Sequence, residues 1–149
     1  MDVKHLFPVL LLHQLIVTRT LSDTTHGTNV LGNPLEICSL SPLTGYTRTG
    51  YCETPNGDYG NHAVCSQVTN EFLNYTKGKG NDLTQRNSYF PGLKHGDRWC
   101  LCSMRWKEAA LVNKAPFVVL EATSIASLVD VSVDEIRRYN AKKFRDMEL

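Results

Sequence analysis

The sequence predicts a single small domain of the α+β class, with a short mixed sheet, three helices and long ordered loops. Apolar side chains recur at helical spacing after residue 62, whereas residues 117–121 form a short apolar run typical of a buried strand. The two kinds of segment do not alternate strictly, and 149 residues suffice for only one core. We expect the domain at residues 29–142, after a flexible lead-in at 23–28 and before a frayed tail at 143–149.

The first half of the domain is predicted to be mostly loop. Residues 41–62 are rich in glycine and show little periodicity, and we expect short strands at 35–38 and 49–53. A helix is predicted at 62–77, with Asn61 as its N-cap. The apolar residues that share one face of this helix are Val64, Val68, Phe72 and Tyr75.

The second half contains the remaining regular elements. Ser132 and Glu135 form the pattern of a capping box, which marks the start of the final helix. In chain order, the expected elements are a strand at 98–102, a helix at 104–113, a strand at 117–121, a helical turn at 124–127, a strand at 128–131 and a helix at 133–141.

The charge pattern argues against two classes of partner. The 16 basic and 15 acidic side chains nearly cancel and no basic block exists, so the sequence predicts no nucleic-acid partner. No apolar run reaches the roughly 20 residues that a spanning helix needs, so we expect no transmembrane segment in the mature chain. We expect the mature protein to be a monomer that binds an unknown small molecule or another protein.

The N-terminus has the layout of a signal peptide at residues 1–22. A short, weakly basic start precedes an apolar region at 6–17, and small residues at Thr20 and Ser22 offer a cleavage site after Ser22. This layout predicts a secretory or extracellular protein, whose Asn74 sequon would then accept a glycan. The alternatives are a cytoplasmic protein with an N-terminal helix or extension, and a mitochondrial presequence.

Cysteine and histidine form the first candidate site. In an extended strand, Cys100 and Cys102 point to one face with their Cα atoms about 6.6 Å apart, which suits a shared metal better than a mutual disulfide. His62 and Cys65 would share a face of the predicted helix, as a thiol–imidazole pair would require. The candidate thiol or metal site is therefore His62, Cys65, Cys100 and Cys102, with zinc as the metal to consider.

Other uses of the five cysteines stay open at this point. Cysteine is often a small buried core residue, and in the cytosol all five would remain reduced. In a secreted chain an odd count leaves one thiol over, and disulfides would link Cys38 or Cys52 to the strand at 98–102.

Arginine and tryptophan form the second candidate site. Arginine beside tryptophan can stack on the ring and hold a carboxylate or phosphate through its fork of N–H groups. The residues of this candidate ligand surface are Asp97, Arg98, Arg105 and Trp106. The same density of aromatic residues predicts that Trp99 or Trp106 is nearly fully buried.

Several motifs occur together in one order along the chain. They are Asn29-Val30-Leu31-Gly32, Ser41-Pro42-Leu43-Thr44-Gly45, Gly80-Asn81-Asp82-Leu83, Phe90-Pro91-Gly92-Leu93 and the tryptophan- and cysteine-rich stretch 96–109. With them, residues from about 29 to 135 resemble the small proteins grouped as domain of unknown function 2237. The resemblance implies no activity.

The sequence as a whole predicts an uncharacterised small protein with a Cys/His-centred site for metal binding or thiol chemistry. The alternative is a non-enzymatic binding module with structural cysteines and the Arg/Trp ligand surface.

Overall fold

A three-stranded antiparallel sheet forms the centre of the protein. The computed structural model describes residues 25–145, so the predicted signal peptide lies outside the described residues. Strand β1 (Val64–Gln67) lies in the middle, between β2 (Arg98–Leu101) and β3 (Phe117–Val118). The register places Cys65 of β1 opposite Cys100 of β2.

Four α-helices surround this sheet in the described part of the chain, and the α+β class is confirmed. Helix α1 spans Asn70–Gly78 and α2 spans Ser103–Ala110. Helices α3 (Val133–Arg138) and α4 (Ala141–Arg145) follow two short 3-10 segments. The predicted strand at 98–102 and the Ser132–Glu135 capping box are present, and the helix predicted at 104–113 is α2, which ends at Ala110.

The long helix predicted at 62–77 is wrong, because this stretch contains both β1 and α1. β1 is the central strand and is covered on both faces, so its burial does not alternate and mimics a helical stripe. The helix begins only after Thr69, whose hydroxyl accepts a hydrogen bond from the Phe72 N–H at 3.2 Å. Asn61, the predicted N-cap, has a positive φ of 46° and lies in a turn.

Other boundaries differ where the sequence pattern is short. The strand predicted at 128–131 is absent, because Leu128 and Val129 end the 3-10 segment Ile125–Val129 and a turn follows. Only Phe117–Val118 of the predicted 117–121 is strand. Residues 35–38 and 49–53 form no strand in the described chain. The final helix breaks at Tyr139 into α3 and α4, and α4 continues into the tail that was predicted to fray.

Two buried clusters hold these elements together. The larger is apolar and is centred on Trp106, which is 0% exposed and donates its indole N–H to the Pro116 carbonyl at 3.1 Å. The prediction of a nearly fully buried tryptophan is therefore confirmed. The smaller cluster consists of Cys38, Cys52, Cys65, Cys100 and Ala122. Within residues 25–145, no helix combines the length and the apolar character that crossing a membrane requires.

Candidate functional site

Four of the five cysteines are paired in two disulfides at the sheet. Cys38 is bonded to Cys65 and Cys52 to Cys100, and Cys102 is the free cysteine of the described chain. Cys65 and Cys100 lie opposite each other on β1 and β2, and each is bonded to a cysteine of the loops that precede β1. The expected link from Cys52 to the second strand is thus present. Disulfides are typical of oxidising compartments.

The four-residue thiol or metal site predicted for His62, Cys65, Cys100 and Cys102 is not assembled as expected. Cys65 and Cys100 are neighbours, but each sulfur is already bonded to another cysteine. A metal needs thiolates, and a disulfide sulfur is not one. In the described residues, one group could hold a metal: Cys38, Cys52 and Cys65, with sulfurs within 4.8 Å of one another. All three belong to the disulfides, so this group is open to a metal only after reduction.

The free thiol of Cys102 lies in a different place, at the edge of a cavity of about 470 Å³. Cys102 follows β2 directly and is the N-cap residue of α2, with no side-chain capping bond. It is partly exposed. His62 lines the same cavity. Three of the four predicted residues, His62, Cys100 and Cys102, therefore line one cavity, and of these three Cys102 carries the free thiol.

The imidazole of His62 is held by a carboxylate. Its Nδ1 lies 2.6 Å from Oδ1 of Asp58, and its backbone N–H donates to Oδ2 of the same carboxylate at 2.8 Å. The Asp58 side chain is 0% exposed, whereas that of His62 is 37% exposed. With Nδ1–H directed to the carboxylate, the neutral ring carries its lone pair on Nε2. The pair has the geometry by which an acid orients a histidine base.

Short contacts fix the loop that carries His62 against the start of α2. The carbonyl of Asn61 accepts hydrogen bonds from the hydroxyl and the backbone N–H of Ser103, at 2.7 and 3.1 Å. Asn61 also donates its amide N–H to Asp130 at 2.7 Å. A side chain on Gly60 would place its Cβ 2.5 Å from Cε1 of His62, so only glycine leaves room for the ring. Since Ser103 follows Cys102, these bonds hold the thiol and the imidazole at one cavity.

A family match covers most of the described domain. Residues 28–140 match the family described as "Uncharacterized protein conserved in bacteria (DUF2237)". The chain belongs to the DUF2237 family. No curated protein matches the chain. The family predicted from the motifs is thus confirmed, and the description of the family carries no activity.

The cavity of this DUF2237 domain has a positively charged rim. Arg48 and Arg105 line it together with His62, and the Arg48 guanidinium carbon lies 4.9 Å from the ring centroid of Trp99. Tyr46 stacks near His62 with ring centroids 5.9 Å apart. The arrangement combines a free thiol, an imidazole that is bonded to a carboxylate and two guanidinium groups at one cavity.

The predicted ligand surface of Asp97, Arg98, Arg105 and Trp106 needs correction in the DUF2237 domain. Trp106 is fully buried and cannot line a surface, because its ring fills the core between α2 and Tyr139. Asp97 accepts a hydrogen bond from the Lys94 N–H and shapes a turn. Arg98 pairs with Gln67 across the sheet and does not line the cavity. Of the four residues, Arg105 alone borders it.

A turn next to the cavity carries a perturbed acid. Hydrogen bonds from the side chain and backbone of Thr84 lower the pKa of Asp82 to about 2, and Lys77 adds to the effect. The preceding residue, Asn81, lines the cavity. The Asp82 carboxylate is thus bonded within its own turn, and Asn81 is held by hydrogen bonds from its backbone N–H and its side-chain amide to Thr76, both at 2.9 Å.

Sequence reasoning missed three contributors to this site: Asp58, Gly60 and Arg48. Asp58 precedes His62 by four residues, a spacing that the sequence shows but that is informative only once the loop conformation is known. Arg48 has a left-handed backbone with φ of 58°, in a loop without periodicity. No local sequence pattern indicates that Asp58 or Arg48 belongs to the same site as Cys102.

Proposed function

We propose that this protein uses Cys102 as a nucleophilic thiol, with His62 as its general base and Asp58 as the residue that orients His62. One observation carries the proposal. The free cysteine of the described chain opens into the same cavity as an imidazole whose Nδ1 is bonded to a buried carboxylate.

The proposed chemistry follows the division of roles among these groups. Asp58 accepts the Nδ1–H bond and leaves Nε2 of His62 ready to take the thiol proton. The sulfur then attacks an electrophilic carbon in the cavity, and the imidazolium returns the proton to the leaving group. Negative charge at residue 102 lies at the N-terminus of α2, where the helix dipole stabilises it.

The test is the rate at which unreduced protein reacts with iodoacetamide, followed by mass spectrometry. Cys102→Ser should abolish labelling, and His62→Ala and Asp58→Asn should each slow it by about tenfold or more, because a positioned base contributes at least that factor. His95→Ala is the matched control, since this exposed histidine does not line the cavity. Equal rates for His62→Ala and His95→Ala would refute the assignment of His62 as the base.

The alternative is a binding module without thiol chemistry. This alternative is favoured by Arg48, Arg105 and Trp99 at the cavity, because these side chains can bind a ligand and have no role in the proposed thiol chemistry. In that case His62→Ala and Asp58→Asn would leave the alkylation rate unchanged while ligand binding persisted in Cys102→Ala.

Metal binding remains a proposal for the reduced protein alone. The sulfurs of Cys38, Cys52 and Cys65 are close together, and reduction would release them with Cys100 as four thiols. Four thiolates suit tetrahedral zinc. Zinc content after reduction and dialysis against the metal should exceed that of the unreduced protein. A negligible zinc content in both the reduced and the unreduced protein would contradict zinc binding.

The proposed setting is the secretory pathway, with residues 1–22 as a cleaved signal peptide and 29–142 as the functional domain. The two disulfides support an oxidising compartment. Asn74 is exposed on α1, so a glycan at this position meets no packing barrier. N-terminal sequencing from the native source tests the proposal, and an intact N-terminus with five titratable thiols would contradict it in favour of the cytoplasmic alternative.

A further inference from the structure

The charged side chains that line the Cys102 cavity are of one sign. Arg48 and Arg105 border it, and no carboxylate is among the described residues that do so. We propose that the cavity binds a small organic anion, a carboxylate or a phosphate ester on a flat apolar body, with Arg48 and Arg105 as the anion-binding residues. The inference concerns the ligand of the cavity named in the proposed function, and it holds whether or not Cys102 reacts.

Arg48 is held in a single arrangement before any ligand arrives. One terminal nitrogen donates to the carbonyl of Gly45, the other donates to the carbonyl of Tyr89 at 3.1 Å, and the guanidinium lies over Trp99. A guanidinium has five N–H donors, so donors remain for a bound anion. Because the side chain is already ordered, binding costs little additional side-chain entropy.

Arg105 supplies the second positive charge from helix α2. Its partner is Glu108 at 3.2 Å, and the two side chains are 41% and 38% exposed. An exposed pair of this kind is weak, so a ligand carboxylate or phosphate competes with it readily. Two other carboxylates lie near the cavity and both have partners: the Asp58 side chain is fully buried and bonded to His62, and Asp82 is bonded to Thr84 and paired with Lys77. The positive charge at the opening is therefore not cancelled by an acid that lines it.

The remaining wall of the cavity is apolar. Leu83, Phe90 and Trp99 line it, and the last two rings meet edge to face with centroids 5.2 Å apart. Small-molecule sites commonly combine such walls with a few polar groups that fix orientation. A volume of about 470 Å³ suits a metabolite-sized ligand better than a macromolecule. The apolar wall therefore selects for an anion that carries a flat apolar part.

The experiment is an NMR titration of unreduced protein, in which the two indole N–H signals are the readout. Trp99 lines the cavity and should shift, whereas Trp106 is fully buried and bonded to Pro116, so its signal is the internal control. Benzoate and phenyl phosphate are the anionic probes. Benzyl alcohol and benzylamine are the neutral and cationic counterparts of similar shape.

The expected result is that both anions shift the Trp99 signal and bind at least about tenfold more tightly than either counterpart, as charge-assisted hydrogen bonds require. Arg105→Ala and Arg48→Lys should each weaken binding by about tenfold or more, the latter by removing the fork while keeping the charge. Arg98→Ala is the matched control and should bind as the wild type does.

Three results would each overturn the inference. The first is the absence of a Trp99 shift with both anions. The second is equal affinity of the wild type for benzoate and for benzyl alcohol, and the third is equal affinity of Arg105→Ala and Arg98→Ala for benzoate. Cys102→Ala separates this inference from the proposed function, because it should bind the anions normally while losing alkylation. Normal binding in His62→Ala with an unchanged alkylation rate would refute the thiol proposal and leave the anion site standing.

Discussion

Removing the Cys52–Cys100 disulfide should be among the most damaging changes to this protein. The bond closes a loop with a sequence separation of 48 residues. In the chain-entropy account, the lost constraint on the unfolded chain corresponds to about 4.1 kcal/mol at 25 °C. The Cys38–Cys65 bond, with a separation of 27, gives about 3.6 kcal/mol. Both residues of a pair should be changed together, since a single change would leave an unpaired thiol in addition to Cys102.

Equilibrium denaturation in guanidinium chloride without reductant measures this effect. We expect the Cys52→Ala/Cys100→Ala variant to lose about 4 kcal/mol of unfolding free energy, slightly more than the Cys38→Ala/Cys65→Ala variant. Cys102→Ala is the control and should change it by less than about 1 kcal/mol, because its partly exposed thiol closes no loop. A loss below about 1 kcal/mol in the first variant would refute the reasoning, since the chain-entropy account gives about four times as much for this loop.

Three further predictions concern the core, the imidazole and the turn beside the cavity. Trp106→Ala should cost about 3–5 kcal/mol by leaving a large cavity in the core, and an unchanged melting temperature would contradict the burial of this ring. Gly60→Ala should slow thiol alkylation as His62→Ala does without unfolding the protein, because the new Cβ displaces the ring; circular dichroism provides the control. Thr84→Val should raise the pKa of Asp82 from about 2 toward 3.8, as followed by carboxyl NMR. Because the folded pKa is lowered, the carboxylate stabilises the fold above pH 3.8, and this contribution disappears as the pH falls through about 2.

Local patterns were sufficient for the features that short segments determine. The strand before Cys102, the helix after it and the Ser132–Glu135 capping box follow from residues that are neighbours in sequence. Burial of at least one tryptophan could be predicted for a related reason, since large aromatic residues bury much area in a small domain, but the sequence did not decide which one and placed Trp106 on a ligand surface. The family also follows from the sequence, because its motifs occur in order along the chain.

The central strand shows where such reasoning stops. Val64 and Val68 satisfy the spacing of a helix, but β1 is covered on both faces by other elements, which removes the alternation that identifies a strand. Only the pairing with β2 and β3 decides between the two readings. Cys65 therefore lies on a strand, where it is bonded to Cys38, and is not a free thiol on a helix face.

The sequence by itself determined the family, the α+β class and the residue types from which a thiol site can be built. The tertiary structure alone decided that Cys102 is the unpaired cysteine, that Asp58 orients His62, and that Arg48 joins Arg105 at one cavity. The physical reason is distance along the chain. Asp58 and His62 share one loop, but Arg48 comes from an earlier loop and Cys102 and Arg105 come from a later segment. The Cys52–Cys100 disulfide and the hydrogen bonds between Ser103 and Asn61 hold these segments together, and such contacts leave no periodic trace in the sequence.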